Sequence, residues 1–367
     1  MTARKIRVAV DARPLVEPPN GIRRWLEGIL GAMPEAAPDI EWVLLVPHEG
    51  IAAPEGLQAR VVIVPGSMRS LLRPVWETFR LPGALRCSGA DALLSPYGMV
   101  PVRCPVPTVS VVHDLTFLKW PQLLPLHYRL YWRWMAWTVS RAAAVVVPSK
   151  ATQRELIDRL GLSEDRITVS PYAADGVFKP APPGRVDRLQ RRFGLPERFV
   201  LAVGTLEPRK NLGLLIAAMD RMNADRENPV ALVLVGRRGW GDAVADRPWL
   251  YHVEGVEDQD LILLYSGAAV FAMPSLDEGF GLPVLEAMAC GAPVVVAQAG
   301  ALPEVVGTAG LVVPFEDVEG WVEALSRVVS DAGIADDMRK KSLERAQDFS
   351  WTDSARTVAG ILRGVKR

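Results

Sequence analysis

The sequence predicts an α/β protein built from two parallel-sheet domains, and three observations carry that prediction. The chain has 367 residues, more than a single hydrophobic core usually organises. Short apolar runs of strand length alternate with helix-patterned segments in both halves, the order expected of a parallel sheet. A break at Pro180, Pro182, Pro183 and Gly184 separates the two series and reads as a linker. The first domain is therefore placed at residues 1–178 and the second at 179–350, with a basic amphipathic helix over 351–367.

In the first domain, residues 6–10 form an apolar run ending at Asp11. A turn of Pro18, Pro19, Asn20 and Gly21 follows, then a helix starting near Ile22, and strand, glycine turn and helix together suggest a ligand site at a sheet edge. Residues 43–46, 61–64, 92–94 and 106–112 read as buried strands, with a basic helical pattern over 67–86 between them that carries Arg69, Arg73, Arg80 and Arg86. His113-Asp114 comes directly after one of these strands, where open sheets bind ligands, although a lone histidine there is also a common structural residue. Residues 120–137 hold four of the eleven tryptophans together with Arg129 and Arg133. Such a stretch suits either a membrane surface or a core helix with snorkelling arginines. Residues 142–147 read as a strand, Ser149 as the N-cap of a helix, and 167–169 as another strand.

The second domain repeats the alternation. Strands are expected at 199–203, 231–235, 253–255, 268–273 and 294–297, and helices at 211–222 and 258–266. Gly204-Thr205-Leu-Glu-Pro-Arg209-Lys210-Asn211 follows the first of these strands and opens a helix. Positive charges there oppose the helix dipole, which makes sense if a dianionic ligand sits between; Glu207 offers a bland alternative by offsetting them. After 268–273, Gly279 and Gly281 make a turn and Pro283 suits a helix start, while Gly291 and Pro293 stop that helix. Glu278 lies in the turn and Glu286 one turn into the helix, placing both to face one pocket at its mouth, where the N–H groups of Phe280, Gly281 and Leu282 form an anion site. Carboxylates take sugar hydroxyls and N–H groups take phosphate oxygens, so the pocket suits a nucleotide-sugar; a solvated loop glutamate and a dipole-complementing one are the plain alternative.

Composition excludes several classes. With 49% hydrophobic and 23% charged residues the chain reads as an ordinary soluble protein. Its net charge is zero but uneven: +4 over residues 1–178, −7 over 179–350 and +3 over 351–367. Nucleic-acid binding is not indicated, because the acidic half holds the strongest ligand motif. Cys87, Cys104 and Cys290 are odd in number and widely spaced, which predicts neither a disulfide framework nor a zinc site and fits a reducing cytoplasm. No signal-like apolar run opens the chain, and glycines and prolines interrupt the uncharged stretch 287–303, so no membrane span is expected.

The stretch Glu278-Gly-Phe-Gly-Leu-Pro-Val-Leu-Glu286-Ala-Met-Ala-Cys-Gly-Ala-Pro-Val resembles the signature of family 4 of the glycosyltransferases, retaining enzymes of the GT-B fold. The resemblance runs through most of the C-terminal half and more thinly through the N-terminal half. It implies two Rossmann-like domains facing a cleft, the first taking the acceptor and the second a nucleotide-sugar donor, with the last helix crossing back to the first domain. It gives the ribose hydroxyls to Glu286, the donor sugar to Glu278, the diphosphate to Arg209 and Lys210 within the Gly204-Thr205 loop, the transferred sugar to His113, and a loop beside the donor phosphate to Gly21. The family's usual glycine-rich loop is reduced here to Asn20-Gly21-Ile22-Arg23-Arg24, a departure at that position.

The implied chemistry is retaining transfer without a metal cofactor. The basic pair would neutralise the leaving diphosphate, the donor phosphate would help deprotonate the acceptor, and the domains would close over the substrates. The stretches around His113 and Arg209 look most like bacterial mannosyltransferases of polysaccharide assembly, which points to GDP-mannose, with UDP- and dTDP-sugars as competitors. A nucleotide-sugar epimerase, a phosphorylase and a non-catalytic nucleotide-sugar sensor are the alternatives. A saccharide or lipid-linked saccharide acceptor and peripheral contact with an anionic inner membrane, through the basic and Trp-rich segments, complete the expectation.

Overall fold

The computed structural model describes residues 5–65, 76–123, 126–239 and 246–365. The chain divides into two compact units, Met1–Tyr172 with Ser350–Arg367, and Ala173–Phe349. Each is an α/β unit with its own parallel sheet.

In the first unit the strands are β1 (Ile6–Asp11), β2 (Ile40–Val46), β3 (Ala59–Ile63), β4 (Ala92–Ser95), β5 (Thr108–Val111), β6 (Ala144–Val147) and β7 (Ile167–Val169). Among the described residues they lie in the order β3-β2-β1-β4-β5-β6-β7. β1 pairs with β2 through Val8 opposite Trp42 and with β4 through Val8 opposite Ala92, so the order reverses between β1 and β4. β4 and β5 are buried along their whole length. Covered on both faces, such strands read as unbroken apolar runs rather than alternating ones, and that made them legible.

The second unit holds β8 (Phe199–Val203), β9 (Ala231–Val235), β10 (Leu250–Val253), β11 (Val270–Met273), β12 (Val294–Ala297) and β13 (Leu311–Val313), in the order β10-β9-β8-β11-β12-β13. Here the order reverses between β8 and β11. Ligands of open α/β sheets sit at the carboxyl ends of the strands flanking such a reversal.

The last helix, Trp351–Gly364, belongs to the first unit and lies on helix Gly21–Ala36. Ser350 caps it, its side chain accepting from the Asp353 N–H, and Ala355, Val358, Ala359 and Leu362 are its buried stripe. Trp351 covers Gly28 so closely that a Cβ there would stand 2.4 Å from the indole. Arg356 reaches Glu35 at 2.8 Å and Arg363 reaches Asp39 at 2.5 Å, so the basic tail meets local acids on a basic domain.

The structure corrects several expectations. The first unit ends at Tyr172 rather than residue 178, because Phe178 is buried edge-on against Tyr265 of the second unit. Pro183 and Gly184 are not linker but the opening of helix Pro183–Phe193, where a proline at the first turn loses no hydrogen bond. The strand expected at 253–255 is β10, shifted to Leu250–Val253, and β13 together with helices Val318–Ser330 and Ala332–Ala346 were not read from the sequence. Residues 120–137 are divided among a short turn at Pro121–Leu123 and helix Leu126–Val139. Of the basic segment 67–86, residues 76–86 are described, and Arg69 and Arg73 lie outside the described residues.

Candidate active site

In the second unit, the turns after β8 and β9 cross backbone against backbone. Gly236 has φ +144°, and a Cβ on it would lie 2.1 Å from the Gly204 carbonyl oxygen, so only glycine fits. At the carboxyl ends of β8 and β11 lies a small hollow, open to solvent and lined by Gly204, Thr205, Lys210, Leu234, Met273 and Ser275 among others.

Lys210 lines it with Arg209 next to it in the chain, but neither stands in the first turn of a helix as the sequence suggested. They occupy a 3-10 turn, Pro208–Lys210, and helix Leu212–Asn223 starts only after Asn211. Asn211 has φ +52°, a left-handed conformation that asparagine tolerates better than most residues. Its side-chain amide donates to the carbonyls of Pro274 at 3.2 Å and Phe315 at 2.9 Å. The Leu276 N–H donates to the Arg209 carbonyl at 2.9 Å, and the Arg209 guanidinium to the Asp277 carbonyl at 3.0 Å. The two loops at the sheet reversal are thereby stapled into one frame.

Within that frame the charges are paired. Lys210 Nζ lies 2.7 Å from Glu278, Arg209 lies 3.0 Å from Glu278 on its other oxygen, and Arg209 also meets Glu207 at 2.9 Å. Burial pushes the Glu278 carboxyl upward, but Arg209 and Lys210 beside it, with the hydrogen bond from Lys210, outweigh burial and hold it down at about 2. It is a buried anion at neutral pH.

Helix Leu282–Ala289 begins where expected, with Pro283 in its first turn and Gly281 at φ +103° as its N-cap. A Cβ on Gly281 would meet the Leu302 side chain at 2.8 Å. Phe280 is buried against Phe349, and Leu282 is buried as well. Glu286, 4% exposed, accepts from the Tyr265 hydroxyl at 3.1 Å. The two glutamates, one in the turn before the helix and one on the helix, thus have different surroundings: a cation pair for Glu278 and a buried phenol for Glu286. Burial first, then the nearness of Glu286, pushes the Cys290 thiol up to about 12, so it stays protonated.

His113 and Gly21 belong to the first unit. Gly21 is the first residue of helix Gly21–Ala36, with open space around it, and the Asn20 side chain caps that helix by accepting from the Arg23 N–H. His113 follows β5 with both ring nitrogens engaged. Nε2 lies 2.7 Å from the Pro96 carbonyl, which only accepts, so Nε2 carries the hydrogen and Nδ1 accepts from the Tyr172 hydroxyl. The Trp25 ring meets it edge-on. Burial depresses the imidazole to about 4 against the opposing effect of the Pro96 carbonyl, so His113 is neutral. Asp114 accepts from the Thr116 N–H at 3.2 Å and so begins the short helix Thr116–Lys119. Below the end of β1, Arg13 is buried between the rings of Trp76 and Tyr97 and pairs with Asp11 at 2.6 Å and Glu77 at 2.9 Å.

Of the residues singled out in the sequence, Gly204, Thr205, Arg209, Lys210 and Glu278 gather at the second unit's sheet reversal. Phe280 and Gly281 lead into the helix that follows, Leu282 and Glu286 lie on it, and Gly21 and His113 stand in the first unit. Sequence reasoning missed Tyr172, Tyr265 and the Asn211 staple. An asparagine between a turn and a helix was the available signal for the last; the tyrosines gave none, because their partners are 59 and 21 residues away.

Comparison with known proteins agrees with this architecture. A family described as "Glycosyltransferase Family 4" matches residues 19–175, and one described as "Glycosyl transferases group 1" matches residues 197–331. The chain is 31% identical over 253 residues to the O-antigen chain mannosyltransferase B of Escherichia coli, covering 66% of each protein. It is 29% identical over 286 residues to the serotype-specific mannosyltransferase WbdA of the same organism, covering 71% of this chain and 34% of that one. A D-inositol 3-phosphate glycosyltransferase of Salinispora arenicola is 36% identical over 252 residues, 61% of this chain and 54% of that one. The chain therefore spans just under two thirds of the first of these relatives and about a third of the second. Anabaena HepE, solved in complex with UDP and glucose, superposes with a TM-score of 0.74 at 19% identity, covering 97% of this chain and 99% of that one. WaaG, a glycosyltransferase involved in lipopolysaccharide biosynthesis, superposes with a TM-score of 0.75 at 17% identity, covering 98% and 100%.

The chain belongs to the family 4 glycosyltransferases, and its two parallel-sheet units are those of the GT-B fold.

Proposed function

We propose that the protein transfers a hexose, mannose from GDP-mannose, to a saccharide or lipid-linked saccharide during cell-surface polysaccharide synthesis, with retention of anomeric configuration and without a metal. One observation carries the reading: Lys210 lines a hollow at the sheet reversal, and Lys210 and Arg209 both contact the buried carboxylate of Glu278. The cations would hold the donor diphosphate and stabilise its charge as the glycosidic bond breaks. Glu278 would take hydroxyls of the transferred sugar, and Glu286, oriented by Tyr265, those of the ribose. The Phe280, Gly281 and Leu282 backbone would offer N–H groups to the phosphates. Mannose is favoured by relatives named as mannosyltransferases. A UDP-sugar donor is the second reading, supported by the likeness to a protein solved with UDP.

The test is a thermal-shift panel of nucleotide-sugars followed by transfer assays. A shift with GDP-mannose is expected; a shift with UDP-sugars alone overturns the mannose assignment. In the Arg209→Ala, Lys210→Ala double variant, activity at limiting donor should fall by about 100-fold or more, the scale of lost transition-state charge stabilisation, measured on protein whose folding is verified because the change takes both cations from Glu278; unchanged activity refutes the site. For the acceptor, we place peripheral membrane contact on the first unit, where Trp137 is 51% exposed under the Arg141 guanidinium and Arg133 is exposed. Among the described residues no helix is long and apolar enough to cross a membrane. Co-sedimentation with anionic vesicles at low salt checks this; absence of binding directs the search to soluble acceptors.

A further inference from the structure

The cations assigned above to a diphosphate already have carboxylate partners. Glu207, Arg209, Lys210 and Glu278 form one cluster of two positive and two negative side chains. Glu278 is 9% exposed and takes Lys210 on one oxygen and Arg209 on the other. Lys210 runs along the Gly204 backbone, its Cε 3.0 Å and its Nζ 3.3 Å from where a Cβ on Gly204 would stand, and both residues line the hollow. A diphosphate arriving there meets cations whose charge is compensated and a fixed anion beside them. Both anions cannot hold Lys210 and Arg209 equally well at once, because like charges close together in a poorly solvated site repel strongly.

We propose that Glu278 is an internal counter-anion that exchanges with the donor diphosphate on Lys210 and Arg209. In the empty site the carboxylate neutralises the two cations, so neither they nor it is left as an uncompensated buried charge. When a diphosphate takes the cations, the carboxylate is released and its oxygens become available to hydroxyls of the sugar. Exchange ties the carboxylate's availability to occupancy of the phosphate site, and it keeps a nucleoside diphosphate product from being held too firmly. The inference rests on the diphosphate reading of the preceding section.

The experiment is calorimetric titration of the full chain with GDP and with UDP, comparing the wild type with Glu278→Gln, Glu278→Asp and Lys210→Met. Glutamine keeps the shape and removes the charge, so the nucleoside diphosphate recognised by the site should bind about ten-fold tighter, as expected for removal of one like charge close by. Lys210→Met should weaken the same binding by about ten-fold. Weaker or unchanged binding in Glu278→Gln, with Lys210→Met weakened, overturns the counter-anion role and leaves the diphosphate site standing. Unchanged binding in Lys210→Met removes the diphosphate site and the exchange with it. Should Glu278→Gln fail to fold, Glu278→Asp decides: the shortened side chain holds the cations less well, so tighter binding supports exchange and wild-type or weaker binding overturns it.

Discussion

Lowering the pH from 7 to 4 should cost the first unit about 3 kcal/mol of stability, and His113→Asn should remove most of that loss. His113 is held neutral in the fold at about 4, against 6.5 in the unfolded chain, chiefly by burial. A depressed folded value means that the unfolded chain takes up the proton first. Stability is therefore full above pH 6.5, falls as the pH drops, and the loss is complete below about 4. The interval between those values, at about 1.36 kcal/mol per pH unit, gives about 3 kcal/mol. Of the groups facing the ring, the Pro96 carbonyl on Nε2 opposes this shift without cancelling it, while Nδ1 is on the Tyr172 hydroxyl, Trp25 meets the edge, and the next residue, Asp114, accepts from the Thr116 N–H. Asparagine at 113 does not titrate. The assay is urea unfolding of the full chain at pH 7, 5.5 and 4, with hydrogen exchange on first-unit peptides to assign the transition, because two units need not unfold as one. An equal loss in the variant, or a wild type whose first unit is indifferent to pH between 6.5 and 4, would refute the reasoning.

The second unit should respond in a lower window. Glu278 is lowered to about 2 from 4.5, so its pairing contributes fully above pH 4.5 and is lost as the pH falls through about 2, a contribution of about 3 kcal/mol by the same relation. Lys210→Met should cost about 1–3 kcal/mol at pH 7, less than breaking a whole buried pair because Arg209 stays on Glu278. The difference from wild type should shrink between pH 4.5 and 2; a constant difference in urea titrations would contradict the pairing. Gly28→Ala places a methyl group 2.4 Å from the Trp351 indole and should lower the melting temperature of the first unit through about 1–3 kcal/mol of overpacking, reduced by about 1 kcal/mol of helix propensity. A melting temperature at or above wild type would mean that the last helix does not depend on this contact.

The sequence by itself determined the elements that interact locally. Parallel strands buried on both faces announce themselves as apolar runs, so β8, β9 and β12 stand at the residues expected, and Pro283 with Gly281 marks the start of its helix. Candidate site residues could be picked out where they are neighbours in the chain, as with Arg209-Lys210 and the glutamates at 278 and 286. Edge strand β13 and the helices at Val318–Ser330 and Ala332–Ala346 lack such sharp local signals and went unread. Only the tertiary structure decided what each charge faces. Lys210 and Glu278 are 68 residues apart and His113 and Tyr172 are 59 apart, and it is the reversal of strand order between β8 and β11 that brings the first pair together. The cation pair therefore reads in the sequence as an anion site with exposed charge, and in the fold as a compensated, partly buried cluster. Protonation states follow burial and partners, which are sums over the folded molecule, whereas motif spacing records only what lies close along the chain.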